Sequence, residues 1–323
     1  MLAFSSESAG GIATKCGDRP ISERIIPRHA AQSRRNTMAK GSIPSGGLEG
    51  MAVLVTGGGT GIGTACATRC AADGAAVTIC GRTEAKLADA AKKIEAGLGH
   101  GGSIQFATCD VTDEDDVKRI VAFAAEPTGA LDGCVANAGG GGGMGPYHVQ
   151  NTEEFVRVLH LNVLGTMLCV KHTVPYLVEA GGGSFVGMSS IAGHVTHPFF
   201  GAYCVGKAGI EEMMKNAADE FGARNVRFNS IRPGFISTEI MQGIPRESEV
   251  FESYLVNTPM NDVGDPEDVG NLARFLIGPG SRWVTGVAIN VDGGHALRRG
   301  PDFTQFVEPA FGKDVLAGDR PKE

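Results

Sequence analysis

No apolar run in this 323-residue chain reaches eighteen residues, so a membrane-spanning helix is not expected. Positive charge is not in excess either. The 29 Lys and Arg stand against 36 Asp and Glu, giving a net charge of -7 and a pI near 5.7. That balance argues against a surface built to grip a nucleic-acid backbone, and leaves small molecules and other subunits as partners. The eight cysteines, at 16, 66, 70, 80, 109, 134, 169 and 204, show no short metal-ligand spacing, and most lie inside apolar stretches. A disulfide framework or structural zinc is therefore not expected; small buried thiols in a reduced, cytoplasmic setting are. The start of the chain lacks the apolar core of a secretion signal. Seven basic residues (Lys15, Arg19, Arg24, Arg28, Arg34, Arg35, Lys40) are interspersed there with four acids (Glu7, Asp18, Glu23, Glu49). This composition reads as a disordered arm over 1–49, or an upstream start before Met38, rather than a transit peptide.

What is abundant is glycine, 48 residues in clusters that separate apolar runs. Short strands are expected at 52–56, 76–80, 103–107, 131–136, 184–188, 226–231 and 287–291. Helices fall between them: one opening at the first glycine cluster, then 83–97, 113–125, 153–179, 203–222 and 266–277. Apolar strands without strict alternation, separated by helices, describe an α/β fold with a parallel sheet covered on both faces. Its connections should be right-handed, and ligands should gather beyond the carboxyl ends of the strands.

The first strand runs into Thr56-Gly57-Gly58-Gly59-Thr60-Gly61-Ile62-Gly63. Glycines there permit a tight turn and close backbone approach, while the opening helix offers free N–H groups to a pyrophosphate. No Lys-Ser/Thr pair follows, which argues against an ATPase-type loop. The second strand ends in Cys80-Gly81-Arg82 without the carboxylate that would bind the ribose diol of NAD, so Arg82 is free to pair with the 2′-phosphate of NADP(H); a solvent-facing arginine is the competing reading. Asp110, after the third strand, could bond an adenine amino group with Val111 facing the ring, or Asp110 or Thr112 could cap the next helix. Asn137-Ala138-Gly139 after the fourth strand lets the backbone pass close to a ligand.

Tyr203 and Lys207 stand four apart near the start of a helix and can face one cleft. A lysine ammonium beside a phenol favours the phenolate and would bring a group with a free pKa near 10 closer to working pH. Ser190 can bond the substrate oxygen, and Tyr203 would donate its proton in reduction or act as base in oxidation.

Taken together, TGGGTGIG at 56–63, CDV at 109–111, NAG at 137–139, SSIAG at 189–193, YCVGK at 203–207, RPG at 232–234 and VDGG at 291–294 resemble the short-chain dehydrogenase/reductase family over about residues 50–295. The resemblance implies a single Rossmann-like domain with strand order 3-2-1-4-5-6-7, a substrate loop at about 235–262, and a homo-oligomer, tetramer or dimer, built from the helices of 153–179 and 203–222 and the last strand. It implies a catalytic tetrad of Asn162, Ser190, Tyr203 and Lys207, in which Asn162 holds a proton-relaying water and Lys207 also bonds the nicotinamide ribose. Pro233, Gly234, Ile236 and Thr238 match the segment that cradles the nicotinamide amide.

Two departures stand out. Thr60 replaces the basic residue of many NADP-preferring relatives, which leaves NAD(H) open, and residues 296–323 form an extension longer than the usual ending. Phe303, Phe306, Val307 and Phe311 give that extension apolar anchors for a neighbouring subunit or for closing a pocket. The pocket wall should draw on Gly140–Met144, Ile191–Phe200 and Phe235–Met260, with Phe199, Phe200, Phe235, Ile240 and Met241 giving an apolar lining. His194 and His197 are expected to shape the pocket or lie exposed. Arg298 and Arg299 could meet a coenzyme A phosphate or face solvent. The expected function is an NADP(H)-dependent carbonyl reductase or secondary alcohol dehydrogenase acting on an apolar substrate, a 3-oxoacyl thioester among the candidates. Its rivals are a hydroxysteroid-like or other cyclic alcohol dehydrogenase using NAD(H), and a non-catalytic NADP(H)-binding regulator.

Overall fold

The computed structural model describes residues 47–98, 102–239 and 241–320, all within the unit Gly41–Glu323. Most of the 1–49 arm, and Ile240, lie outside the described residues, but Leu48 is fully buried in the core.

Seven strands form one parallel sheet: β1 Ala52–Thr56, β2 Ala76–Gly81, β3 Ser103–Thr108, β4 Gly133–Ala136, β5 Gly183–Met188, β6 Val226–Pro233 and β7 Ala288–Val291. Their order is β3-β2-β1-β4-β5-β6-β7. The helices between them are α1 Gly61–Ala72, α2 Glu84–Gly97, α3 Glu114–Ala125, α4 Thr152–Leu159, α5 Gly165–Glu179, α6 Gly201–Phe221, α7 Glu249–Asn257, α8 Pro266–Ile277 and α9 Thr304–Leu316. One face of the sheet packs on α3, α5 and α6 through residues such as Ile120, Leu168 and Ile210, and the other on α1, α2 and α8 through Ala67, Leu87 and Leu276. Because both faces are covered, the central strands are apolar throughout, as β1 illustrates with all of its residues buried. None of the described helices is long and apolar enough to cross a membrane.

Register places the carboxyl ends together: Thr56 lies opposite both Cys80 and Ala136, and Ala136 opposite Gly187. Between β1 and β4 the strand order reverses and opens a crevice, the usual ligand position in such sheets.

Three features differ from the sequence expectations. The helix expected over 153–179 is two helices joined by a widened turn at His160–Leu164, where the Gly165 N–H reaches back to the His160 carbonyl. Helix α3 is capped neither by Asp110 nor by Thr112. Asp113 does this by accepting from the N–H groups of Asp115 and Asp116 at 2.9 and 3.0 Å, because it alone stands at the half-turn before the first helical residue. The loop 235–262 and the terminal extension each carry a helix, α7 and α9, and these pack together around Phe235, Val250, Tyr254, Phe303 and Val307. The extension lies on its own chain: the Asp302 N–H donates to Ser253 Oγ at 3.0 Å, and His148 Nε2 meets the Asp319 carbonyl at 3.1 Å.

Beneath the start of α6, Arg232 on β6 forks onto Glu211 at 2.6 and 2.5 Å, and Glu211 also accepts from Ser189 Oγ at 2.8 Å. Glu211 is buried, so the pair is retained only while both charges are present. Arg232→Met should destabilise the protein by about 3–5 kcal/mol in urea unfolding, and adding Glu211→Met should recover most of that loss. A double variant as unstable as the single one would show that the charges are not coupled.

Candidate active site

Thr56, the last residue of β1, is the joint that the glycine loop hangs from. Its hydroxyl accepts from the N–H groups of Asn137 and Ala138 at 3.1 and 3.0 Å, tying β1 to the segment that leaves β4. Asn137 returns the contact, donating from Nδ2 to the carbonyls of Thr56 and Gly57 at 3.1 and 3.2 Å. Its side chain is thereby spent on holding the loop. The hydroxyl's role has a sequence signal, a threonine directly before the glycines, that motif matching alone did not turn into a site residue.

The loop is shaped for something that approaches its backbone. Gly57 and Gly61 have φ of +66° and +51°, values that favour glycine. A methyl on Gly63 would sit 2.1 Å from the Gly57 carbonyl oxygen, so this position admits no side chain. Gly59, Thr60 and Ile62 are half-buried or exposed along the crevice. Helix α1 begins with no side-chain cap and no acid in its first turn, unlike α3 with its Asp113 cap and Glu114, Asp115 and Asp116. Uncapped N–H groups at the positive end of a helix dipole suit an anionic diphosphate, so the residues present fit a dinucleotide. Arg82, just past β2, is exposed and has no hydrogen bond or ion pair among the described residues. Asp110 accepts from the N–H and hydroxyl of Thr112 through Oδ1 at 3.0 and 2.8 Å. The Val111 side chain is buried, and a methyl on Gly165 would lie 2.8 Å from its Cγ2. Across the crevice, Pro233 ends β6, Gly234 presses so closely on Asp292 that a methyl would lie 2.7 Å from Asp292 Cα, Ile236 is buried, and Thr238 lies over Gly61 with Glu239 beside it.

The tetrad expected from the resemblance assembles at the same sheet edge. Ser190 follows β5 and Tyr203 opens α6, and the serine side chain lies where it draws the Tyr203 phenol pKa down. One turn on, Lys207 is buried, with Nζ donating to the Met188 carbonyl at 2.8 Å and lying 5.5 Å from the centre of the Tyr203 ring. Asn162 sits in the widened turn, fully buried; Nδ2 donates to the carbonyls of Gly140 and Val158, each at 2.8 Å. Gly139 is what lets these meet: a methyl there would stand 2.7 Å from Asn162 Oδ1 and 3.1 Å from Lys207 Nζ.

Burial raises the Tyr203 phenol above its ordinary range, Ser190 opposes that, and Cys204 raises it further. The Lys207 amine is turned to the Met188 carbonyl and the face of the Tyr203 ring. Burial pushes Lys207 down to about 8 for the same reason: no carboxylate accompanies it into the interior.

Around Tyr203 the wall is aromatic. Phe200 stands 6.0 Å from the Tyr203 ring and 4.6 Å from Phe303, and Tyr254 stacks on Phe235 at 4.2 Å. Phe199, Phe200 and Met241 pack on this cluster as expected of pocket residues. His194 is exposed, whereas His197 is buried and pushed down to about 4 by that burial. Arg298 donates to the Val256 carbonyl, and Arg299 lies in an outer groove lined by Glu249, Glu252, Asp302 and Glu308.

Residues 57–296 match the family model described as Enoyl-(Acyl carrier protein) reductase. The chain is 34% identical over 243 residues to a cis-4-hydroxycyclohexanecarboxylate dehydrogenase from Sinomonas cyclohexanicum, covering 75% of this chain and 95% of that one. Among solved structures, a short-chain type dehydrogenase/reductase from Mycobacterium ulcerans superposes with a TM-score of 0.83 at 46% identity, covering 85% of this chain and all of that one. A 7α-hydroxysteroid dehydrogenase in complex with NADH and 7-oxo glycochenodeoxycholic acid superposes with a TM-score of 0.72 at 30% identity, covering 77% and 95% of the two chains. With this sheet order, glycine loop and Ser-Tyr-Lys edge, the chain belongs to the short-chain dehydrogenase/reductase family, oxidoreductases that act on CH–OH groups with NAD(P).

Proposed function

We propose that the protein interconverts compact, apolar secondary alcohols and ketones, ring compounds foremost, with NADP(H) preferred over NAD(H). The observation that carries this reading is the closed aromatic wall of Phe200, Phe235, Tyr254 and Phe303 beside Tyr203. Such a wall suits a small ring better than a long thioester, and the acid-lined groove around Arg299 would repel a coenzyme A phosphate.

The dinucleotide would be held by Gly57, Gly59, Thr60, Gly61, Ile62 and Gly63 at its diphosphate, by Asp110 and Val111 at its adenine, by the backbone of Asn137, Ala138 and Gly139 along the crevice, and by Pro233, Gly234, Ile236 and Thr238 at its nicotinamide end. When bound, it supplies or accepts the hydride. Tyr203 holds the proton that goes to the substrate oxygen in reduction and receives it back in oxidation. Ser190 would orient that oxygen, Asn162 fixes the loop above Lys207, and Lys207 would hold the nicotinamide ribose of the bound dinucleotide. Arg82 favours NADP(H) because it is unpartnered and no acid at the end of β2 opposes a 2′-phosphate. Among the described residues the thiols of Cys66, Cys70, Cys80, Cys109, Cys134, Cys169 and Cys204 are free, which suits a reducing cytoplasm. Val156, Met167 and Val205, exposed on α4, α5 and α6, supply apolar area for a homo-oligomer.

Tyr203→Phe should lower kcat with cyclohexanone and NADPH by about 10²–10⁴-fold while leaving the NADPH dissociation constant within about twofold. Loss of NADPH binding instead would remove Tyr203 from the proton-transfer role. Arg82→Ala should raise the KM for NADPH by roughly 10–100-fold and leave NADH nearly unchanged, as expected for losing a charge-assisted bond. An equal effect on both coenzymes in steady-state assays would return Arg82 to an ordinary surface residue.

A further inference from the structure

Five successive glycines, Gly139–Gly143, follow the fourth strand and offer no side chain to pack. Two of them nevertheless wall the reaction site. Tyr203 and Phe200 border a small cavity whose lining also includes Gly142 and Gly143 and, from α4, Phe155 and Val158. Glycine loses more freedom on ordering than any other residue, so such a wall keeps its place only if its backbone is held from outside. Asn162 holds one end, at Gly140. The other end is held at Gly145, whose N–H donates to the Phe199 carbonyl at 3.0 Å and whose carbonyl accepts from Gln150 Nε2 at 2.5 Å. Between these ends stands a residue that the reaction does not use. Arg157 on α4 forks onto Glu154 with two bonds of 2.6 Å, and its Nη2 also reaches the Gly141 carbonyl at 3.3 Å. Glu154 in turn sits against the wall: a methyl on Gly142 would lie 2.6 Å from its Oε1 and 2.5 Å from Val158 Cγ2. The base of this contact is fixed, because Asn151 caps α4 by accepting from the Glu154 N–H at 2.8 Å.

We propose that Arg157 is a positioning residue for substrate width: through Glu154 and the Gly141 carbonyl it holds the glycine wall against α4, and so sets how broad a ring fits beside Tyr203. This deepens the ring-alcohol reading and rests on it. Arg157 stands outside the cavity and acts only through its two partners. An ion pair between partly exposed side chains contributes little to stability, so the pair acts on the wall and not on the fold. With the wall seated the cavity is small, which suits a single ring. Once Arg157 lets go, the backbone of Gly141–Gly143 is free to retreat, because its residues carry no side chains to obstruct them.

The test compares steady-state oxidation by NADP+ of cyclohexanol and of 2-decalol, whose two rings are fused. Arg157→Met removes both contacts, whereas Arg157→Lys keeps a donor. Glu154→Arg combined with Arg157→Glu keeps an ion pair on α4 but turns an acceptor toward the Gly141 carbonyl. The wild type should favour cyclohexanol. Arg157→Met should cut that preference in kcat/KM by about tenfold, chiefly through the KM values, with kcat for cyclohexanol within about twofold. Arg157→Lys should keep most of the preference, and the exchanged pair should lose it as Arg157→Met does. An unchanged preference in Arg157→Met, or one restored by the exchanged pair, would overturn the proposal. Amide hydrogen exchange over residues 139–146, read by mass spectrometry, needs no turnover and so separates the two readings. The wall should exchange about threefold faster or more in Arg157→Met than in the wild type. If it does and neither alcohol reacts, the hold on the wall stands and the ring-alcohol reading falls. If exchange is unchanged, the hold on the wall falls.

Discussion

A lysine carried into the interior with only a carbonyl oxygen to receive it constrains everything near it. Lys207 has no carboxylate partner, so its ammonium is opposed by burial and its pKa falls from 10.5 to about 8. In the unfolded chain the amine stays protonated up to the ordinary value. This group therefore weighs against folding below pH 8, on the order of 3 kcal/mol, and that weight lifts as pH rises from about 8 to 10.5. The surrounding sequence is arranged to tolerate it. Gly139 leaves room for Nζ, Gly206 leaves room for Asn162, and Asn162 pins the Gly140 backbone above the amine. A core position filled with a well-packed leucine would be easier to stabilise. That the chain keeps a buried amine one turn from a buried phenol is intelligible as a cost borne for proton chemistry.

The same low dielectric acts on Tyr203. Burial favours the neutral phenol and the neutral amine alike, so the resting pair is less polarised than a phenolate beside an ammonium. Ser190 is the neighbour that works in the other direction, drawing the phenol pKa down. The tetrad is thus two buried groups held close to neutrality, with a serine drawing the phenol down and an asparagine bracing the loop over the amine. Farther out, aromatic rings exclude water from the substrate side, and charge-assisted contacts such as Arg232 with Glu211 keep α6 on the sheet.

Much of this was legible in the residues. Strands over-supplied with Val, Ile and Ala between glycine turns left little alternative to a covered parallel sheet, and β1, β2 and β5 fall within a residue of their expected bounds. The glycine loop and the Tyr-Lys spacing located the sheet edge. What the residues concealed depends on contacts distant in sequence. The widened turn at Asn162 is stabilised through Gly140, and no periodicity within 153–179 announces it. The direction of Lys207 is set by Met188, nineteen positions away, which spacing along the helix does not announce. Helix α7 has a weak apolar stripe that acquires meaning only when the terminal extension folds back on it and Phe303 meets Tyr254.

The central claim is that the buried setting of Tyr203 raises its phenol while Ser190 draws it down. It is tested most directly by carbon-13 NMR titration of protein labelled at tyrosine Cζ, with Tyr203→Phe used to assign the resonance. The account predicts that Tyr203 titrates above the ordinary value of 10 and that Ser190→Ala raises it further. A Tyr203 midpoint below 10, or one that Ser190→Ala leaves unmoved, would contradict the account.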